Sequence, residues 1–347
     1  MKKQLTSILQ YLIFFGGGIT LAWWQFHSMT PVQLAQFNFA LASANYWVIF
    51  PVIIMALAGH LSRSLRWQLL IEPLGYKTSI YNVFGVTMVG YLVNTFVPRL
   101  GEIIKCTLLG KYEKIPAEKL IGTILIERVF DVICYAGFIV FTVLIQYKLI
   151  TSFIKNDMAA MSGPDTPMPL WVKVIIFIVI AFILFAIWKF KAHPQSKFTT
   201  VIKNFGKGLV EGFAAIKNLK KKRAFLFHTV FIWSTYILQI YVAFFAIKEV
   251  AHLDLAAACA VLTLATLSLI IMPGGIGTFP KAIFYVLLLY KIPGAIGEAF
   301  GWLMWGATTF IILLFGSICL LLLLYKHRKE KLPDETLITE STIDTII

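Results

Sequence analysis

Six stretches of the chain are apolar for long enough to cross a lipid bilayer as α-helices, which takes about 20 residues. They fall at roughly 8–26, 45–61, 121–147, 169–190, 225–247 and 298–325. Two further apolar stretches are interrupted. Segment 80–112 breaks at Asn94-Thr95-Phe96-Val97-Pro98-Arg99-Leu100-Gly101-Glu102, and segment 255–290 breaks at Pro273-Gly274-Gly275-Ile276-Gly277-Thr278-Phe279-Pro280. Each is too long for one span and short for two. Proline removes a backbone donor and glycine loosens a helix, so both breaks are expected to be non-helical. Met1-Lys2-Lys3 followed by an apolar run has the look of a signal peptide. That run continues through Trp23 and Trp24 without a small-residue cleavage site, which predicts an uncleaved first span.

Charge placement assigns a topology to this pattern. Lys and Arg collect in cytoplasmic loops of membrane proteins. Arg63, Arg66 and Lys77 precede the first broken segment, and Lys105, Lys111, Lys114 and Lys119 follow its break. A hairpin that enters and leaves by the cytoplasmic face keeps both groups inside, whereas a single crossing does not. The same reasoning makes 255–290 a hairpin entering from outside. With both termini cytoplasmic, 23 of the 31 basic residues lie inside, and Arg99, Arg128 and Lys281 lie at membrane depth. The expected fold is therefore an all-α integral membrane protein with about six full transmembrane helices and two re-entrant broken hairpins.

Chain order then reads span, span, hairpin, span, twice over. The repeats cover 8–147 and 169–325 in opposite orientation within a single membrane domain, 1–347. Inverted repeats with broken helices meeting near the midplane are an architecture of secondary transporters. A basic amphipathic insertion at 191–223 is expected on the inner leaflet, and 326–347 is a polar cytoplasmic tail.

Composition agrees and narrows the function. The 347 residues are 59% hydrophobic and 14% charged, with a mean hydropathy of +0.81. Soluble domains are about a quarter charged, so a cytosolic enzyme, a disulfide scaffold and a disordered hub are excluded. The net charge of +14 is accounted for by cytoplasmic loops and anionic lipid headgroups, with no need of nucleic acid. Cys106, Cys134, Cys259 and Cys319 stand singly and read as packing residues. No Walker-type loop, zinc-ligand spacing or nucleophile elbow is present, so neither a metal nor another cofactor is expected.

Ionisable groups inside spans are costly and are functional candidates by default. Arg99, Glu102 and Lys105 are three residues apart, so a helix starting near Leu100 places them on one face. They read as a clamp for an anionic headgroup, or as an ion pair stabilising the turn. Glu127, Arg128 and Asp131 form a second cluster, either a charge relay for passage or a buried knot between helices. The glycines at 274, 275 and 277, with Thr278 and Lys281, offer backbone amides and a helix N-terminus to an anion. Pro98 and Gly101 in one break, and Pro273 and Pro280 in the other, set the turns. His228, Ser234, Tyr236 and Gln239 read as hydrogen-bonding groups between helices. His60, Arg63 and Arg66 are expected at the headgroup level.

The motif Asn94-Thr95-Phe96-Val97-Pro98-Arg99-Leu100-Gly101-Glu102-Ile103-Ile104-Lys105, then Gly122-Thr123 with Glu127-Arg128-Val129-Phe130-Asp131, then Pro273-Gly274-Gly275-Ile276-Gly277, resembles the lysylphosphatidylglycerol synthase transmembrane-region family. That family includes the flippase-like domain of multiple-peptide-resistance-factor proteins. The resemblance spans roughly 10–325. It implies a lipid-translocating protein of a bacterial or archaeal cytoplasmic membrane, with Arg99, Glu102, Glu127, Arg128 and Asp131 as motif positions. No counterpart of the synthase's soluble aminoacyl-transferase domain is present, so lysylation is not among the expectations. Where the family usually has an acid after the glycine motif, this chain has Pro280 followed by Lys281.

The expected function is movement of an anionic lipid, a phospholipid or polyprenyl phosphate, between leaflets. Two alternatives remain at this point: a membrane enzyme transferring a glycosyl or headgroup unit, and a structural partner of a lipid synthase. The sequence leaves the oligomeric state open.

Overall fold

The computed structural model describes residues 16–97, 100–152, 219–272 and 274–329. Every regular element among them is helical. In order they are α1 (16–27), α2 (Pro31–Ala42), α3 (Ile49–Ile71), α4 (Ile80–Phe96), α5 (Leu100–Glu113), α6 (Ala117–Ile145) and α7 (Tyr147–Ser152). They are followed by α8 (Lys222–Phe244), α9 (Leu255–Ile271), α10 (Thr278–Leu289) and α11 (Gly294–Lys329). Short 3-10 turns, Tyr46–Val48 and Glu72–Leu74, flank α3. Among the described residues four stretches are long and apolar enough to cross a membrane: Tyr46–Leu74, Ala117–Ile145, Lys222–Phe244 and Gly294–Arg328. The chain divides into two compact units, 1–124 with 219–347, and 125–218.

In the first unit α3 lies along α8, and α11 lies along both α4 and α10. The seam is filled by Trp67, Leu70 and Ile71 from α3, Phe225 and Ile232 from α8, Val86 and Met88 from α4, and Phe300 from α11, all buried. Ile54, Val230 and Leu321 on the same helices are about two-thirds exposed. An apolar exterior of this kind suits lipid and not water.

Both interrupted segments fold as expected into pairs of short helices, α4 with α5 and α9 with α10. The two first arms end alike. After α4, Val97 is extended (φ −131°, ψ 102°) and its N–H donates to the Val93 carbonyl. After α9, Met272 is extended (φ −126°, ψ 101°) and donates to the Ser268 carbonyl. Each helix therefore ends two residues before its proline, and the residue preceding proline is extended, as its steric restriction favours. Pro98, Arg99 and Pro273 themselves lie outside the described residues.

The first break is held by Asn94, whose side-chain oxygen accepts from the Gly101 N–H at 2.8 Å. This satisfies one of the orphan donors in the opening turn of α5. Asn94→Leu is expected to lower stability by about 1–3 kcal/mol, the cost of an unsatisfied part-buried donor, as read by thermal unfolding in detergent.

Two elements differ from the sequence pattern. The span placed at 45–61 continues as helix to Ile71, because Ser62, Arg66 and Trp67 find partners on neighbouring helices. In addition, α2 occupies a stretch that carried no expected element. A complete capping box starts it, with Thr30 accepting from the Gln33 N–H and Gln33 accepting from the Thr30 N–H, and Pro31 is its first helical residue. The expected span 169–190, the insertion 191–223 up to Asn218, and the tail from Glu330 lie outside the described residues.

Candidate functional site

The second break is a glycine turn fixed from two sides. Gly274, Gly275 and Gly277 all have positive φ, at 81°, 65° and 72°. The Trp305 indole on α11 donates to the Gly274 carbonyl at 2.9 Å, and Gln25 on α1 donates to the Gly277 carbonyl at 2.7 Å. Gly277 is also pressed against α1, where an added Cβ would lie 3.1 Å from the Gly18 carbonyl oxygen and from the Ala22 nitrogen. A side chain there is excluded by both backbone sign and space. Gln25 Oε1 and Thr278 Oγ1, both at this turn, are buried without a hydrogen-bond partner.

The two breaks meet. A Cβ built on Gly274 would stand 3.7 Å from the Thr95 carbonyl oxygen, so the tip of one helix pair touches the tip of the other. Hairpin residues Asn94, Gly101, Gly274, Gly275, Gly277 and Thr278 are thus brought to one region.

Lys105 and Lys281 do not share one environment. Lys105 is buried in α5, with its ammonium 3.9 Å from the Trp67 ring centroid. The Trp67 indole donates to Thr123 Oγ1 at 2.9 Å. Beside Trp67 sits Arg66, fully buried, with Nη1 donating to Thr229 Oγ1 at 3.3 Å and its guanidinium carbon 5.6 Å from the Phe225 ring. Ser62 bonds His228 Nδ1 at 2.8 Å, and the His60 ring lies against Tyr91. Arg66 is therefore enclosed by protein. Its position is interior, because α8 supplies a hydroxyl and an aromatic face for the guanidinium. Aromatic faces stabilise cations most when both are desolvated, which fits Lys105 over Trp67. Lys105 is thus packed between α5 and α3, and Arg66 between α3 and α8.

Lys281, in the first turns of α10, forms an ion pair with Glu298 of α11 at 2.6 Å. It also lies 3.9 Å from the Phe284 ring centroid. Glu298 was not among the expected site residues, although it stands as a lone acid in a long apolar run. Its presence answers the unusual lysine after Pro280, since the positive charge is balanced from the adjacent helix.

Glu102 occupies the first turn of α5 and is half-buried. Glu127, Arg128 and Asp131 occupy neighbouring turns of α6 in the second unit, with Glu127 fully buried and the other two half-buried. Among the described residues no group of three or more His, Cys, Asp or Glu is placed to hold a metal ion.

Long apolar helices with lipid-suited exteriors, and two broken helix pairs touching at their tips, define a multi-pass, all-α integral membrane protein. The chain belongs to the family of the lysylphosphatidylglycerol synthase TM region, which matches residues 7–329. It is similar to a UPF0104 membrane protein of Methanocaldococcus jannaschii, 25% identical over 260 residues that cover 68% of this chain and 73% of the relative. No solved structure matches it.

Proposed function

We propose that the protein moves an anionic, phosphate-bearing lipid, a phospholipid or polyprenyl phosphate, between the leaflets of a bacterial or archaeal cytoplasmic membrane. The observation that carries this reading is the contact of the two helix breaks at Thr95 and Gly274. Non-helical backbone at membrane depth is tolerated where it is buried or lines a wet cavity. The headgroup passes at these tips while the acyl chains stay in lipid. Arg99, Lys105 and the N-terminus of α10 attract the phosphate, and Arg66 extends the positive region. Glu102 balances charge beside the tips, and Glu127, Arg128 and Asp131 of the second unit form a charge relay or a structural ion network of their own.

An inverted repeat, with re-entrant hairpins and both termini cytoplasmic, belongs to the same proposal. Matched lengths support it: α3 and α8 have 23 residues each, and α4 and α9 have 17 each. The second arms, α5 and α10, have 14 and 12. Rocking of two such halves gives alternating access.

A photo-activatable phosphatidylglycerol, reacted with the reconstituted protein and mapped by mass spectrometry, tests the path. Labelled peptides are expected across 91–105 and 269–281. Labels confined to the outer faces of α8 and α11, at positions such as Val230 and Leu321, would count against it.

A further inference from the structure

The Lys281–Glu298 pair does not lie sealed in the protein. It forms part of the wall of a cavity of about 370 Å³, lined also by Ser28, Gln33, Phe284, Leu288 and Gly294. Ser28 lies in the connection after α1 and is exposed, and Gly294 opens α11. Within the pair the Glu298 side chain is 7% exposed and that of Lys281 18%. The ammonium also faces aromatic rings, with the Tyr285 centroid at 5.7 Å and that of Trp24 at 5.9 Å.

As it stands the pair is neutral, so an anion gains little by approaching it. A phosphate that binds Lys281 competes with Glu298 for the ammonium and sets a second negative charge beside a buried carboxylate. Like charges in a poorly screened site repel strongly. A carboxylate that is buried, stripped of its counter-charge and set beside an anion favours its protonated form. We propose that this cavity is a proton-linked phosphate site, in which one phosphodiester anion binds Lys281 as one proton binds Glu298. Charge balances through the exchange: Lys281 cation and Glu298 anion before, Lys281 cation with phosphate anion and neutral Glu298 after. The proton comes from hydronium or a buffer acid in bulk solvent: its O–H bond to that donor breaks as the Glu298 O–H forms, and the conjugate base stays in solution. This rests on the lipid-moving reading and sharpens it, since a lipid loaded here carries a proton with it.

The surrounding elements add few other titratable groups. On α10 these are Tyr285 and, past its end, Tyr290 and Lys291. On α1 it is His27, stacked on Trp23. Neither α2 nor α4 bears a charged residue, and α9, which packs on α10, has Asp254 as its N-cap, held by the Ala257 N–H.

The test uses the full chain in an uncharged detergent and dihexanoyl-phosphatidylglycerol, whose phosphodiester keeps one negative charge across the range. Between about pH 6 and pH 8 the wild-type Kd is expected to rise by up to about tenfold per pH unit, the limit for one linked proton. Glu298→Gln removes the slope and binds about tenfold or more tighter than wild type at the higher pH. Lys281→Gln weakens binding at both ends, and His27→Asn keeps the wild-type slope. Ser28→Trp, on the exposed rim, weakens binding while leaving the pair intact, whereas unchanged binding in that variant overturns the site's location. Should Glu298→Gln not fold, proton uptake by wild type in weak buffer decides: about one proton per lipid bound supports the site, and none overturns it. A flat Kd with leaflet exchange intact overturns this inference alone. A full slope without leaflet exchange overturns lipid movement and leaves the proton-linked site standing.

Discussion

Gly101→Val is expected to deplete folded protein from the membrane, and to lower the melting temperature of whatever folds by about 5 °C or more. The first turn of α5 runs against α4 with no room for a side chain. A Cβ at Gly101 would fall on the Gly90 carbonyl oxygen and stand 2.7 Å from the Asn94 side chain. The helices cannot part to accept it, because the Gly101 N–H is bonded to Asn94 Oδ1. The contact is mutual, since a Cβ at Gly90 would meet the Gly101 carbonyl oxygen at 3.0 Å. Overpacking in a tight contact costs about 1–3 kcal/mol and sometimes more. Gly122→Ala is the matched control. Nothing lies within 4 Å of its added Cβ, and alanine in a helix favours folding by about 0.8–1 kcal/mol over glycine. Equal melting temperatures for the variants at 101 and 122 would show that the α4–α5 contact is looser than described.

Removing either interior cation of α3 and α5 is expected to slow exchange of an anionic lipid by at least about tenfold, the equivalent of one charged hydrogen bond at 1.4 kcal/mol. Arg66→Met and Lys105→Met keep most of each side chain's length and apolar contact, so they test charge more than packing. Arg66 is fully buried between Thr229 and Phe225, and Lys105 lies over Trp67. Losing a hydrogen bond from a charged group also destabilises, by about 1.5–3 kcal/mol, so thermal unfolding must accompany the transport assay. Arg66→Lys keeps the charge but loses the planar fork, and is expected to recover stability more fully than exchange. Wild-type exchange rates in both methionine variants would remove these two residues from the path.

The sequence made the broken helices legible because proline and glycine act locally. Val97 and Met272 sit just before their prolines, and steric restriction alone ends α4 and α9 there. The beginning of α2 is equally local, in Thr30, Pro31 and Gln33, but it lies in a stretch with no strong apolar period to mark a helix. Arg66 was illegible for a different reason. A run containing Arg63 and Arg66 resembles a loop, and its burial depends on Phe225 and Thr229, some 160 positions away. Trp67 depends in the same way on Thr123. Glu298 was within reach, as a single acid in a long apolar helix is a signal in itself. Its partner Lys281 was legible as one of three basic residues at membrane depth, and again as standing where a related chain would carry an acid.

The most direct test of lipid movement is dithionite quenching of a headgroup-labelled phosphatidylglycerol in liposomes containing the purified protein. The account predicts that the protected inner-leaflet fraction falls well below that of protein-free liposomes, and that Arg66→Met and Lys105→Met restore most of the protection. Protection that matches protein-free liposomes for every anionic lipid, with and without a proton gradient, would contradict it.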